Sequence, residues 1–312
     1  MSTDPRYYDI RRVAGEVTQV DIDNGKVEQA GTSFYDKATV RVLGDLGWGV
    51  LSVSGDRTGS EHLHRSLIAE ALQASAITNE RVEVMATPSR IHQIPQIGED
   101  PRTVDIEEKV QILKDLERAA AGEGIVSRRV TYIEKAEQVS FTDSSGHEYQ
   151  YELCRCGFSV LAVASRGGVV QMGYERDHTI RGLNIRHRHD MAQESASRAI
   201  SLLDAKPAKG GMMHAILDPE LGGVFAHEAV GHAAEGDLVK EGNSVLIGKI
   251  GEMIGSPQIT IVDDPSLVEF GFCPVDDEGS ATLRTEIIGA GKMQSYLHSK
   301  ETMARIGDGT PG

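Results

Sequence analysis

Val17-Thr18-Gln19-Val20-Asp21-Ile22-Asp23-Asn24-Gly25-Lys26-Val27-Glu28-Gln29-Ala30 reads as two β-strands joined by a tight turn. β-Branched residues on both sides suit a pleated strand, and Asp23-Asn24-Gly25 carries the turn chemistry of a hairpin. The strand pattern runs on to Val42, and a further β-rich run covers Gly47 to Ser54, so the chain opens as an antiparallel meander. Glu61 to Ile77 then places Leu63, Leu67, Ile68, Ala71 and Leu72 at helical spacing. Asp105 to Ala121 does the same with Ile106, Val110, Leu113 and Leu116, which predicts two amphipathic helices. Pro88, Pro95 and Pro101 interrupt any regular element between them and predict a loop over 86–104.

A second meander is expected from Ile125 to Ile133, Ala136 to Thr142 and Glu148 to Val163, with a turn at Asp143-Ser144-Ser145-Gly146. A helix follows from Asp190 to Ala205, with Asp190 as its cap and Gln193 at the capping-box position. Lys206-Pro207-Ala208-Lys209-Gly210-Gly211 has the composition of a linker, which divides the chain into 1–209 and 210–312. No fixed-period repeat or low-complexity tract is visible. The expected fold class is α+β: an N-terminal mixed α/β domain of meanders with amphipathic helices, then the start of a β-rich, barrel-like domain.

Composition narrows the function. Apolar residues form 39% of the 312, alongside 34 glycines, which is enough for a core and excludes disordered and collagen-like classes. Aromatics are only 5%, so tight turns and close backbone approaches are expected in place of a large aromatic core. A net charge of −15 repels phosphate backbones and argues against nucleic acid as a partner. Cys154, Cys156 and Cys273 are too few and too oddly spaced for a disulfide framework. The opening residues lack a signal-peptide core, and no apolar run reaches membrane-spanning length. A cytoplasmic protein with no membrane partner is the expectation.

Chemistry concentrates after the linker. Met213 to Leu217 reads as a short strand, and Gly222 to Asp237 as a small-residue helix carrying His227, Glu228, His232 and Glu235. A zinc hydrolase needs imidazoles converging on the metal and a carboxylate that takes a proton from water. His227 and His232 are at i and i+5, about 140° apart around an ideal helix, so a regular helix could not present both to one ion. A π-type bulge adds one residue to a turn and restores a common face, which predicts a bulge near Gly231. The competing geometry keeps the helix regular and builds a structural salt-bridge ladder from Glu228, His232 and Glu235.

The stretch His227 to Asp237, with Val262-Asp263-Asp264 and Asp276-Asp277-Glu278-Gly279, resembles the TldD/PmbA family, and its TldD side in particular. The resemblance implies a zinc metallopeptidase in which His227 and His232 bind zinc and Glu228 is the general base. It further implies a peptide or unfolded polypeptide as substrate, and a dimer formed with a second copy or with a PmbA-like (TldE) subunit. The third ligand of family members is a cysteine far beyond the motif. This chain therefore reads as a family member lacking its C-terminal part, and a two-histidine site holds metal weakly unless a substitute is recruited. The alternative is a non-catalytic partner or regulator, in line with the family's label as a modulator of DNA gyrase.

Other candidates have plainer readings. Cys273, beside Phe272 and Pro274, is a substitute ligand by chemistry but reads better as a buried structural thiol. Cys154 and Cys156 share one strand face and suit packing. His187 and His189, with His178 nearby, suit a solvated turn before a helix. Asp276-Asp277-Glu278-Gly279 reads as an acidic turn outside the catalytic set, and Gly289-Ala290-Gly291 as a hairpin.

Overall fold

The computed structural model describes residues 4–58, 61–77, 80, 82–87 and 90–307. Strand β1 (Tyr7–Asp23) turns into β2 (Lys26–Gly44), which turns into β3 (Gly47–Ser54). Asn24 and Gly25 at the first turn have φ of 48° and 79°, the left-handed backbone that a two-residue hairpin requires. The first meander is thus present, with β1 beginning at Tyr7 and not Val17.

The second meander holds β4 (Ile125–Asp143), β5 (Glu148–Arg166) and β6 (Val169–Thr179). β4 is one unbroken strand where two were expected. Its Glu134 interrupts the apolar pattern, yet the side chain is buried and paired with the equally buried Lys109 at 2.6 Å. Strand β6 was not anticipated; its signal was Gly167-Gly168, whose φ values of 60° and 84° make the preceding turn.

The six strands lie in the order β3-β2-β1-β4-β5-β6, antiparallel throughout. Pairing of β1 with β4, from Asp9↔Asp143 to Asp23↔Arg129, fuses the two meanders. Helices α1 (Glu61–Ser75), α2 (Ile106–Ala119) and α3 (His189–Leu202) cover one face. Ile10, Val40 and Val42 pack under Leu67 and Ala71 of α1, while Val20, Ile22, Tyr132 and Phe158 pack under Leu113 and Leu116 of α2 and Met191 and Ala192 of α3.

Both outer strands meet their helices at a glycine. A Cβ on Gly49 of β3 would stand 1.8 Å from the Ala71 carbonyl oxygen, and one on Gly173 of β6 would stand 1.9 Å from that of Ser195. The chain is therefore built from two βββα units, β1-β2-β3-α1 and β4-β5-β6-α3, flanking the β1–β4 pair. Asp190 does not cap α3. The helix starts at His189 with Arg188 at the N-cap, held by an ion pair to Asp177, and Asp190 falls in the first turn, where its charge complements the helix dipole.

The other sheet face receives the proline-containing loop and the C-terminal segment. The loop is a pinned strap: Met85 N–H donates to the Lys300 carbonyl at 3.1 Å, His92 N–H to that of Pro274 at 2.8 Å, and Gly98 N–H to that of Arg181 at 2.8 Å. Pro88 lies outside the described residues. Buried Lys300 places Nζ 3.2 Å from the Tyr7 hydroxyl. Arg41 pairs with Asp9 at 2.6 Å and Glu278 at 2.8 Å, and Arg11 with Asp277 at 2.9 Å. The acidic turn 276–279 is thereby fastened to the sheet.

Residues 205–217 form neither helix nor strand and are largely exposed, so the strand expected at Met213–Leu217 is absent; no neighbouring strand pairs with its backbone. Beyond it, β7 (Ile261–Asp263), β8 (Thr285–Gly289) and β9 (Lys292–Met293) make a small antiparallel sheet. The hairpin at Gly289-Ala290-Gly291 joins β8 to β9, with Ala290 at φ 47°. A β-rich barrel is not what the described residues after 210 build. Their backbone groups go mostly into turns, around a core of Ala234, Leu246, Ile287, Ile288, Met293 and Tyr296. The fold class is mixed α+β, as expected.

Candidate metal centre

The candidate helix starts earlier than its glycines suggest. Asp218 accepts the Leu221 N–H at 2.8 Å and Pro219 occupies the first turn, which launches α4 (Pro219–Ala226). At His227 the winding widens into one π turn, His227–Gly231, and the His232 N–H donates to the His227 carbonyl. That i to i+5 bond ties the two histidines through the backbone, and the bulge expected near Gly231 is present. A Cβ on Gly231 would lie 3.6 Å from His227 Nδ1, an ordinary contact, so the bulge does not depend on the missing side chain.

The consequence is convergence. The rings of His227 and His232 meet edge to face with centroids 4.4 Å apart. Ligand atoms of His227, Glu228 and His232 all lie within 4.8 Å of one another, the one such cluster of metal-binding side chains among the described residues. All three are exposed, so the group is open to a substrate.

The helix does not continue to Asp237. A 3-10 turn, His232–Ala234, ends at Glu235, which is extended at φ −63° and ψ 126°, before α5 (Gly236–Lys240). The break has a tertiary cause: Gly236 N–H donates to the Leu297 carbonyl and Leu297 N–H to that of Ala234, both at 2.8 Å. Glu235 Oε1 lies 2.7 Å from His232 Nδ1, and Glu228 Oε2 lies 3.9 Å from His232 Nε2. The bulged cluster and the carboxylate ladder, posed as competing geometries, coexist on one imidazole. The hydrogen bond to Glu235 raises the His232 pKa above the ordinary histidine value.

The other candidates stand apart. Cys273 donates to the Val275 carbonyl at 3.1 Å, and burial pushes its thiol pKa up. Burial likewise raises the Cys154 and Cys156 thiols to about 12 and about 11, and Cys156 donates to the Gly182 carbonyl at 3.1 Å. His178 packs its edge on Phe270, and burial lowers its pKa.

Two imidazoles beside a carboxylate, with candidate ligand atoms all within 4.8 Å of one another, offer the nitrogen and oxygen donors that zinc favours. A mixed α+β chain with a solvent-open His-Glu-His group able to hold a metal has the make-up of a metallopeptidase. The chain belongs to the PmbA/TldD metallopeptidase family. Models for the PmbA/TldA metallopeptidase match as domain 1 over residues 8–77, the central domain over 99–203 and the C-terminal domain over 210–312.

A metalloprotease of Methanocaldococcus jannaschii is 37% identical over 96% of this chain and 67% of its own length. A zinc metalloprotease TldD homolog of Saccharolobus solfataricus is 26% identical over 75% of this chain and 53% of its own length. Two solved structures share the fold. One, named as a modulator of DNA gyrase from Bacteroides thetaiotaomicron, has a TM-score of 0.83 at 19% identity, covering 99% of this chain and 71% of that one. The other, TldE of Thermococcus kodakarensis, has a TM-score of 0.73 at 16% identity, covering 98% and 70%. The chain thus spans about two thirds of the M. jannaschii relative, 67%. No helix among the described residues is long and apolar enough to cross a membrane.

Proposed function

We propose that this chain carries the metal site of a cytoplasmic zinc-dependent peptidase acting on short or unfolded polypeptides, with His227 and His232 as ligands and Glu228 as general base. The observation that carries this reading is the π turn, which brings together beside Glu228 two imidazoles that a regular helix would hold about 140° apart. Zinc, when bound, supplies Lewis-acid polarisation of a carbonyl and of a water molecule. Glu228 stands beside the imidazoles, accepts the proton of the attacking water and delivers it to the leaving amine. Its exposure suits a base that must meet both water and a substrate entering from solvent.

The proposal extends to organisation. Residues 1–209 form one unit and 210–312 the metal-bearing unit, and the active form is a dimer with a second copy or with a PmbA-like (TldE) subunit. Support for a cytoplasmic setting comes from three free cysteines, two of them buried.

The test is zinc content and peptide hydrolysis of the purified chain beside His227→Ala, His232→Ala and Glu228→Ala. One zinc per chain, lost in both histidine variants, with chelator-sensitive hydrolysis that disappears in Glu228→Ala, is the expected outcome. No zinc and no hydrolysis, either in this chain or in a version extended to supply the third ligand, would leave the ladder as a structural feature and favour the regulatory reading.

A further inference from the structure

Glu235 lies outside the metal cluster, yet its carboxylate makes the shorter of the two close contacts to His232. Nδ1 of His232 is 2.7 Å from Glu235 Oε1, while Nε2 on the far side of the ring faces Glu228. An ionised carboxylate only accepts hydrogen bonds, so in the neutral ring this contact places the proton on Nδ1 and leaves the Nε2 lone pair for a metal. The same contact excludes Glu235 as a ligand to an ion held at Nε2, because its oxygen occupies the opposite nitrogen.

The backbone that carries Glu235 is tied down. Glu235 sits in a bridge to Leu297, with Ala234 fully buried before it and the Gly236 N–H on the Leu297 carbonyl after it. Gly236 is wedged in place: a Cβ there would stand 2.7 Å from Thr302 Oγ1, 2.9 Å from His298 Nδ1 and 3.0 Å from the Leu297 carbonyl oxygen. Glu235 is thus the point where the chain leaves helical winding, and the backbone that carries its carboxylate is set by contacts made far along the sequence.

We propose that Glu235 is a positioning residue that sets the His232 tautomer and ring orientation for metal binding through Nε2. The proposal rests on the zinc-site reading above, and it acts through His232 without touching substrate. Carboxylate partners of this kind hold a ligating imidazole in one orientation, and their loss typically costs about 10–100-fold in metal affinity.

The experiment has two readouts on wild type, Glu235→Gln and Glu235→Ala. The first is zinc affinity by competition with a chromophoric chelator. The second is the pattern of imidazole nitrogen shifts of His232 by NMR in metal-free protein, at alkaline pH where the ring is neutral. Expected results are an Nδ1-protonated ring in the wild type, a shift toward the Nε2-protonated form in Glu235→Ala, and zinc binding weakened by about 10–100-fold in that variant. Glu235→Gln keeps an acceptor oxygen of the same shape, so it should retain most of the wild-type tautomer and lose less affinity. Unchanged tautomer and unchanged affinity in Glu235→Ala would overturn the proposal. If neither this chain nor a version extended to supply the third ligand binds zinc, the zinc-site reading fails on its own, and the tautomer measurement still decides the role of Glu235.

Discussion

The six-stranded sheet and the segment that carries the metal cluster are built on opposite terms. In the sheet, long strands pair along nearly their whole length and three helices bury one face, so each functional-looking charge is absorbed into structure. Lys109 and Glu134 illustrate this: both are 2–3% exposed on the side chain and neutralise each other at 2.6 Å. In the cluster, His227, Glu228 and His232 are exposed and are brought together by one π turn. Stability is concentrated where the chain does no chemistry, and reactive groups are held by local winding where little is buried. A substitution should therefore affect one property or the other.

The largest separation is expected at Glu228. Glu228→Gln should lower peptide hydrolysis by about 10²–10⁴-fold, the usual contribution of a general base, with the midpoint of thermal unfolding unchanged. A matching fall in stability would break the contrast. Next is Lys109→Met, which strands the Glu134 carboxylate in the core and should cost about 3–5 kcal/mol by denaturant unfolding. The double change Lys109→Met with Glu134→Leu should recover most of that loss. Failure to recover would show that Tyr132, whose hydroxyl donates to Glu134 at 2.8 Å, is the more important partner.

Smaller effects sharpen the comparison within the sheet. Gly49→Ala and Gly173→Ala each drive a methyl into a helix carbonyl and should destabilise by similar amounts, about 1–3 kcal/mol. Unequal penalties would show that the two βββα units differ in how far their helices can retreat.

The smallest effect concerns pH. Burial pushes the Asp276 carboxyl up from 3.8 to about 6, although the backbone N–H groups of Ser280 and Glu278 donate to it. A raised carboxyl pKa favours folding most below the unfolded value, and that contribution is lost as pH rises through about 6. Asp276→Asn removes the ionisation, so its melting temperature relative to wild type should be higher at about pH 7 than at about pH 4. A constant difference across that range would place the turn's stability elsewhere.

How much was legible follows the same divide. The Asn24-Gly25 hairpin, the apolar spacing of α1 and α2, and the need for a bulge between His227 and His232 are local features, and each is present. The continuity of β4 was hidden because Glu134 looks like an interruption until Lys109 is brought over it. β6 was missed although Gly167-Gly168 marked its turn, and α4 was started too late although Asp218-Pro219 marked its cap. The recurrence of the βββα order left no periodic trace in the sequence, and α2 and the strap lie between the two units.

By itself the sequence determined the pieces whose causes lie within a few residues: strands, amphipathic helices, turns, and the set of donors along one short helix. Only the tertiary structure decided that β1 pairs with β4, and that the acidic turn 276–279 pairs with Arg11 and Arg41. It also decided that the helix stops at Glu235, because the Leu297 backbone, more than sixty residues on, takes the hydrogen bonds that would have continued it. Those outcomes depend on partners that no local pattern contains, since buried charges and backbone groups take whichever partner the fold brings within hydrogen-bonding distance.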